Sequence, residues 1–233
     1  MHSPLLSEDD WQQVDAFHRL YFGRVGSWMG LPILKNPMDL HIYQELLWRL
    51  RPDTVIECGT AWGASALYLA QIMDLLGNGR VMTIDKITDV KRLYFWAFGE
   101  DAVVSNAERP VHPRITYIHG SSTDPEIVRL VRQQVHGTTM VILDSAHDSR
   151  HVFNECELYA PLVTEGSYLC VEDVNIHGHP VVLPDDGPGP YEAAIDFLLR
   201  HDEFKWDVSW TDRYLFSYNA YLCRVPRSAR KPR

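Results

Sequence analysis

A basic excess, a membrane-length apolar run and any paired-cysteine motif are all missing from this sequence. Lys+Arg number 22 against 31 Asp+Glu, a formal charge of −9. That removes the basic face a nucleic-acid reader carries. The four cysteines, Cys58, Cys156, Cys170 and Cys223, form no CxxC or other zinc-ligand spacing. Cys58, Cys170 and Cys223 lie inside apolar runs and are expected as buried thiols, which suits a reducing cytoplasm. No apolar run approaches the ~20 residues of a membrane span. The opening MHSPLLSEDDW lacks a charged segment followed by an apolar one, so no signal peptide is read there. Internal repeats and low-complexity linkers are absent too. What remains is ordinary globular matter, 45% hydrophobic and 23% charged, enough for a sizeable core.

Ser7 followed by Glu8, Asp9 and Asp10 predicts a helix start, with Trp11, Val14, Phe17 and Tyr21 on its apolar face. A glycine-bearing aromatic stretch, Phe22–Leu34, precedes a second start at Asn36-Pro37. From Thr54 onward the pattern alternates. Strands are expected at Thr54–Glu57, Arg80–Ile84, Ile115–His119, Thr138–Leu143, Ser167–Val171, Lys205–Val208 and Leu215–Tyr221. Helices are expected at Ala64–Leu76, Pro125–Gln134, Arg150–Tyr159 and Tyr191–Leu199. Short unalternated runs such as VILD and YLCVE suit strands covered on both faces, hence a parallel sheet in an α/β fold. Two long connections, Lys86–Pro113 with Tyr94, Phe95, Trp96 and Phe98, and Asn175–Pro190, follow strands. They therefore belong at the carboxyl edge, where ligands bind. The aromatic cluster in the first reads equally as a buried helix or a subunit contact. The end of the chain, Arg224–Arg233, reads as a frayed basic tail.

Val55-Ile56-Glu57-Cys58-Gly59-Thr60-Ala61-Trp62-Gly63 is a strand, a glycine turn and a helix start. Its glycines permit close backbone approach, and the helix offers unpaired N–H groups. The spacing is ExGxxxG rather than the dinucleotide GxGxxG. An acid before the first glycine favours a ligand bearing an ammonium group. Asp85, ending the next strand, is placed to accept from ribose hydroxyls. Together these favour S-adenosylmethionine over a pyridine nucleotide. His119-Gly120-Ser121-Ser122 either flanks an adenine or is a plain turn.

Asp144 ends one predicted strand; Glu172 and Asp173 end its neighbour. Parallel neighbours lie about 4.8 Å apart, so these carboxylates converge, and a divalent cation relieves their repulsion. Oxygen ligation points to Mg²⁺, Ca²⁺ or Mn²⁺. Because successive strand residues face opposite sides, Glu172 and Asp173 share an ion only if the strand has begun to turn. His147, three residues past Asp144, is a candidate general base. Lys35, Tyr43 and the loop Asn175–Pro190 are candidates to shape an acceptor pocket, with a solvated Lys35 as the competing reading.

These residues resemble the cephalosporin hydroxylase family. The likeness rests on Trp28-Met29-Gly30-Leu31-Pro32-Ile33-Leu34-Lys35, Asp39-Leu40, Tyr43-Gln44-Glu45, Glu57-Cys58-Gly59-Thr60 and Ser65-Ala66-Leu67-Tyr68. Asp144-Ser145-Ala146-His147, Val171-Glu172-Asp173 and Gly187-Pro188-Gly189-Pro190 extend it. It covers about residues 25–225. Cys58, where a small polar residue is usual, and the aromatic Lys86–Pro113 stretch depart from the pattern. The resemblance implies a Rossmann-like class I methyltransferase fold: a mostly parallel seven-stranded sheet with helices on both faces. It also implies an S-adenosylmethionine- and Mg²⁺-dependent O-methyltransferase related to rhamnosyl and macrolide-sugar enzymes. The expected organisation is an N-terminal helical cap (1–52), the catalytic domain (53–225) and the tail (226–233). The cofactor is expected on Glu57, Gly59, Thr60, Gly63, Ser65, Asp85, Ser121, Ser122 and Asp144, and the metal on Asp144, Glu172 and Asp173, with His147 as base. The expected partners are a sugar or glycosylated natural product of an antibiotic-type pathway and further copies of the chain in the cytoplasm, not nucleic acid or membrane. A non-catalytic, cofactor-holding accessory subunit is the alternative. A dehydrogenase lacks its glycine fingerprint.

Overall fold

The structure is a computed structural model that describes residues 7–91, 93, 108–177 and 181–226. Most of the Lys86–Pro113 stretch, including Tyr94, Phe95, Trp96 and Phe98, together with His179 and nearly all of the basic tail, lies outside the described residues.

Helix α1 (Glu8–Tyr21) starts at Ser7 through a reciprocal capping box with Asp10. A hairpin follows, β1 (Gly26–Trp28) with β2 (Leu31–Ile33). Met29 (φ 50°) and Gly30 (φ 82°) form its two-residue turn. Both central residues lie in the left-handed region, as a type I′ hairpin turn requires. The hairpin rests on the next layer through Trp28, whose Nε1 donates to Gln71 Oε1 at 2.7 Å. Helix α2 (Pro37–Leu50) has Asn36 as N-cap and Pro37 in its first turn.

The sheet comprises β3 (Thr54–Cys58), β4 (Arg80–Asp85), β5 (Ile115–His119), β6 (Thr139–Leu143), β7 (Tyr168–Val171), β8 (Phe204–Trp206) and β9 (Ala220–Arg224). Its order is β5-β4-β3-β6-β7-β9-β8. The first five run parallel, and β9 runs against both β7 and β8. The connecting helices are α3 (Ala64–Leu76), α4 (Pro125–Gln134), α5 (Ser149–Tyr159) and α6 (Pro190–Arg200), with a short α7 (Ser209–Arg213). This is the expected seven-stranded, doubly covered sheet.

Alternation along the strands divides the core in two. Ile56, Cys58, Met82, Ile84, Val141, Leu143, Leu169 and Val171 face the side packed by α1, α4, α5 and α6. Val55, Val81, Met140, Ile142 and Cys170 face α2, α3 and Trp210. Cys58, Cys156 and Cys170 are buried free thiols, while Cys223 is only partly buried. One strand needs correcting: Leu215–Tyr221 was expected, and the strand is Ala220–Arg224. Its position is fixed by antiparallel pairing to β7, with Val171 opposite Ala220 and Tyr168 opposite Cys223. That leaves Ser217, Tyr218 and Asn219 as a buried loop at the sheet's edge.

Candidate active site

The carboxyl ends of β3, β4, β6 and β7 open into a cavity of ≈ 260 Å³. Gly59 (φ 99°) carries β3 into it. A Cβ at that position would lie 1.8 Å from the Asp144 carbonyl oxygen, so only glycine lets the two strand ends meet. Gly63 (φ 82°) then begins α3, whose first N–H groups have no side-chain cap. Gly59, Thr60, Ser65, Asp85, Ser121, Ser122 and Asp144 line the cavity.

Glu57 does not. It is fully buried beneath the floor, its two oxygens accepting from Ser65 Oγ and Thr83 Oγ1 at 2.5 and 2.6 Å. The expectation that its carboxylate meets a ligand ammonium is corrected: it positions Ser65 instead. Gly63 likewise stands behind the wall, against Pro110 and Tyr117. Asp85 is at the rim of the turn, and its Oδ2 accepts from the Thr60 and Ala61 amides at 3.1 and 2.9 Å. Arg109, which no motif marked, reaches the same oxygen at 3.2 Å and also donates to the carbonyls of Ala61 and Ile87. Gly120, Ser121 and Ser122 form one wall, whereas His119 is exposed and binds the Lys86 carbonyl.

The carboxylates converge because β6 and β7 end side by side, Leu143 opposite Val171. Asp173 adopts φ 55°, so the chain has turned after Glu172, which removes the opposite-face difficulty. The three acids nevertheless divide. Asp144, His147 and Asp173 form one group whose potential ligand atoms lie within 4.8 Å of one another. Glu172 is drawn aside, its Oε1 accepting from Lys35 Nζ and from the Tyr43 hydroxyl, each at 2.6 Å. Lys35 is buried and spans both sets, 2.6 Å from Asp144 Oδ2 as well. A positive charge thus already sits between Asp144 and Glu172. Tyr43 is buried away from either cavity and holds Glu172; its expected place in an acceptor pocket is corrected.

Burial opposes charge throughout this cluster, and pairing decides the outcome. Burial pulls the Lys35 ammonium down, but Asp144 and Glu172 raise it well above the usual range. Burial pushes Asp144 up, and Lys35 and His147 bring it below the usual carboxylate range. For Glu172 burial wins and the carboxyl lies well above it. His147 is pulled down by burial yet lifted to about 10 by Asp144 and Asp173. Its Nε2 lies 3.6 Å from Asp144 Oδ1 and 3.1 Å from Asp173 Oδ2. Among the described residues that buried atom has no hydrogen-bond partner. The Asp144 and Asp173 carboxylates beside His147 offer the oxygen ligands that a hard divalent cation takes.

A second cavity of ≈ 380 Å³ adjoins the first. Leu34, Asn36, Asp39, His147 and Asp173 line both. Its outer wall comes from the end of α1 (His18, Tyr21, Phe22), the loop Asn175–His177 with Leu183, and Tyr218 and Asn219. Part of the long loop therefore borders the second cavity. Lys35 borders only the first cavity. Asp39 was not assigned a role from sequence. Burial raises its carboxyl to about 7, although Ser217 and Tyr221 hydroxyls donate to it.

Three comparisons bear on this geometry. A family model described as Rhamnosyl O-methyltransferase/CmcI matches residues 21–225. A rhamnosyl O-methyltransferase of Mycobacterium bovis (strain BCG / Pasteur 1173P2) is 38% identical over 201 residues, 83% of this chain and 75% of that protein. Two solved CmcI structures share the fold. The apo form has a TM-score of 0.62 at 21% identity, covering 97% of this chain and 90% of that one. The Mg-SAM form has a TM-score of 0.58 at 18% identity, covering 97% and 87%.

Proposed function

Because the chain belongs to the Rhamnosyl O-methyltransferase/CmcI family, we propose that it moves the methyl group of S-adenosylmethionine to a hydroxyl of a sugar or a polyhydroxylated natural product, assisted by Mg²⁺. The observation that carries this reading is the meeting of two cavities at His147 and Asp173, with Asp144 grouped beside them on the first.

The first cavity takes the cofactor. Backbone at Gly59–Ala61 and the open start of α3 face its methionine end, with Ser65 held in place by Glu57. Asp85 accepts from the ribose hydroxyls, and Gly120–Ser122 flank the adenine. Asp144 and Asp173, with Glu172 beside them, would hold the cation. When bound, Mg²⁺ orients neighbouring acceptor oxygens and lowers the hydroxyl pKa. His147 takes the hydroxyl proton on Nε2. In the present arrangement its two carboxylates keep it protonated, so it serves as base in the state where their charge is otherwise engaged. The acceptor oxygen forms its bond to the methyl carbon as the carbon–sulfur bond breaks. The electron pair returns to sulfur, leaving S-adenosylhomocysteine. Positioning and electrostatics supply most of the acceleration.

Calorimetry with S-adenosylmethionine, S-adenosylhomocysteine and NAD tests the first step. The first two are expected to bind, and tight NAD binding would defeat the reading. Mass spectrometry of reactions with a glycoside panel should show a gain of one methyl that EDTA abolishes and Mg²⁺ restores. Cofactor binding with no turnover across the panel favours the accessory-subunit alternative.

A further inference from the structure

The turn after β3 has three residues in the left-handed region: Gly59 (φ 99°), Ala61 (φ 45°) and Gly63 (φ 82°). Glycine adopts that shape freely; alanine does not, because its Cβ crowds the following carbonyl oxygen. Such a residue persists only where its surroundings over-determine it. Both ends of Ala61 are tied. Its amide donates to Asp85 Oδ2 at 2.9 Å, and its carbonyl accepts from Arg109 Nε at 2.9 Å. The same guanidinium closes the ring, its Nη2 donating to Asp85 Oδ2 at 3.2 Å and to the Ile87 carbonyl at 2.7 Å. The Arg109 side chain is 15% exposed. Residues 59–62 line the first cavity, whereas Arg109 lines neither cavity. Tyr117 of β5 anchors the arginine in turn. Its ring centre lies 5.9 Å from the guanidinium carbon, and its hydroxyl donates to the Pro110 carbonyl at 2.7 Å.

We propose that Arg109 is a positioning residue for the cofactor. Its fork holds the Ala61 peptide in the shape that makes residues 59–62 a wall of the first cavity, and it ties that peptide to Asp85. Wall and ribose acceptor thereby keep one spacing. The inference rests on the methyltransferase reading and deepens it by adding to donor binding a residue that lies outside both cavities. A planar guanidinium suits the task, because its donors point in fixed directions and serve two carbonyls and a carboxylate at once; an ammonium does not. Without the fork Ala61 leaves the left-handed region part of the time. The wall then fits the ligand in only a fraction of the molecules, and apparent affinity falls by that fraction.

The test is calorimetric binding of S-adenosylhomocysteine to the full chain. Arg109→Met should weaken it about 5–30-fold, the penalty of one non-glycine residue in the left-handed region expressed as a population. Ala61→Gly removes that penalty. It should recover most of the loss in the Arg109→Met background and change affinity far less beside the native arginine, a non-additivity that a double-mutant cycle reads. An arginine that only stabilised the fold would lower the melting temperature, and Ala61→Gly would restore no binding. Arg109→Lys keeps a charge beside Asp85 but not the fork, so a loss of at least about 3-fold should remain. It also carries the comparison with Ala61→Gly if Arg109→Met does not fold. Wild-type affinity in either arginine variant overturns the proposal, as does a loss that Ala61→Gly leaves unrepaired. Failure of S-adenosylhomocysteine itself to bind wild type is a different result and removes the underlying reading.

Discussion

The two cavities share one seam but are built in different ways. The first is made of strand ends and the turns directly after them: 59–62, 85, 120–122 and 144–147. Much of its lining is backbone, held by the ladder of β3, β4, β5 and β6. The second is made of side chains from α1, α2, the loop after β7 and the loop before β9, brought together by packing. The contrast teaches where tolerance lies. A change in the first cavity disturbs the sheet itself; a change in the second alters what fits without moving a strand.

Gly59→Ala should break the first cavity outright. The new Cβ meets the backbone of Asp144 and sits at a φ that side chains avoid, so a loss above about 4 kcal/mol in urea unfolding is expected, with no cofactor binding. A variant that keeps wild-type stability would show that the strand ends have slack.

Lys35→Met probes the seam. Removing the ammonium leaves the buried Glu172 and the partly buried Asp144 without the cation they share, and one-sided loss of a buried pair costs about 3–5 kcal/mol. Added Mg²⁺ should restore part of the lost Tm. Melting that ignores Mg²⁺ would argue against a cation at these acids.

Asp39→Asn has the smallest expected effect and depends on pH. The folded protein holds the Asp39 proton up to about pH 7, against a usual carboxyl value of 3.8. Between those values the folded state carries more protons than the unfolded one, so this group's contribution to stability falls as pH rises through that window. The amide removes the slope. At pH 8 the variant should melt higher by about 2–4 °C per kcal/mol relieved, and near pH 4 the two proteins should coincide. An equal gap at both pH values would show that Asp39 is not the titrating group.

Legibility follows the same division. The sheet could be read from short unalternated runs because each strand is covered on both faces, and the burial patterns agree. Gly59, Asp85, Asp144, His147 and Asp173 could be read because a parallel strand's end has only one place to be. Glu57 shows where that logic stops. Its position in the motif was plain, but which way the carboxylate pointed depended on Thr83 from the neighbouring strand and Ser65 from the following helix. Asp39 stood in the family pattern without a role, and Arg109, His18 and Asn219 carried no signal, because nothing local sets them apart from other surface-type polar residues.

By itself the sequence determined the order of strands and helices, the glycine turn after β3 and the convergence of three acids at one edge. Each of these follows from local periodicity and from the narrow spacing of parallel strands. Tertiary structure alone decided that Lys35 would stand between Asp144 and Glu172, that Tyr43 would hold Glu172 back, and that His18 and Asn219 would border one hollow from positions some two hundred residues apart. Those choices come from side chains packing across the sheet's edge, a geometry that exists only once the chain has folded.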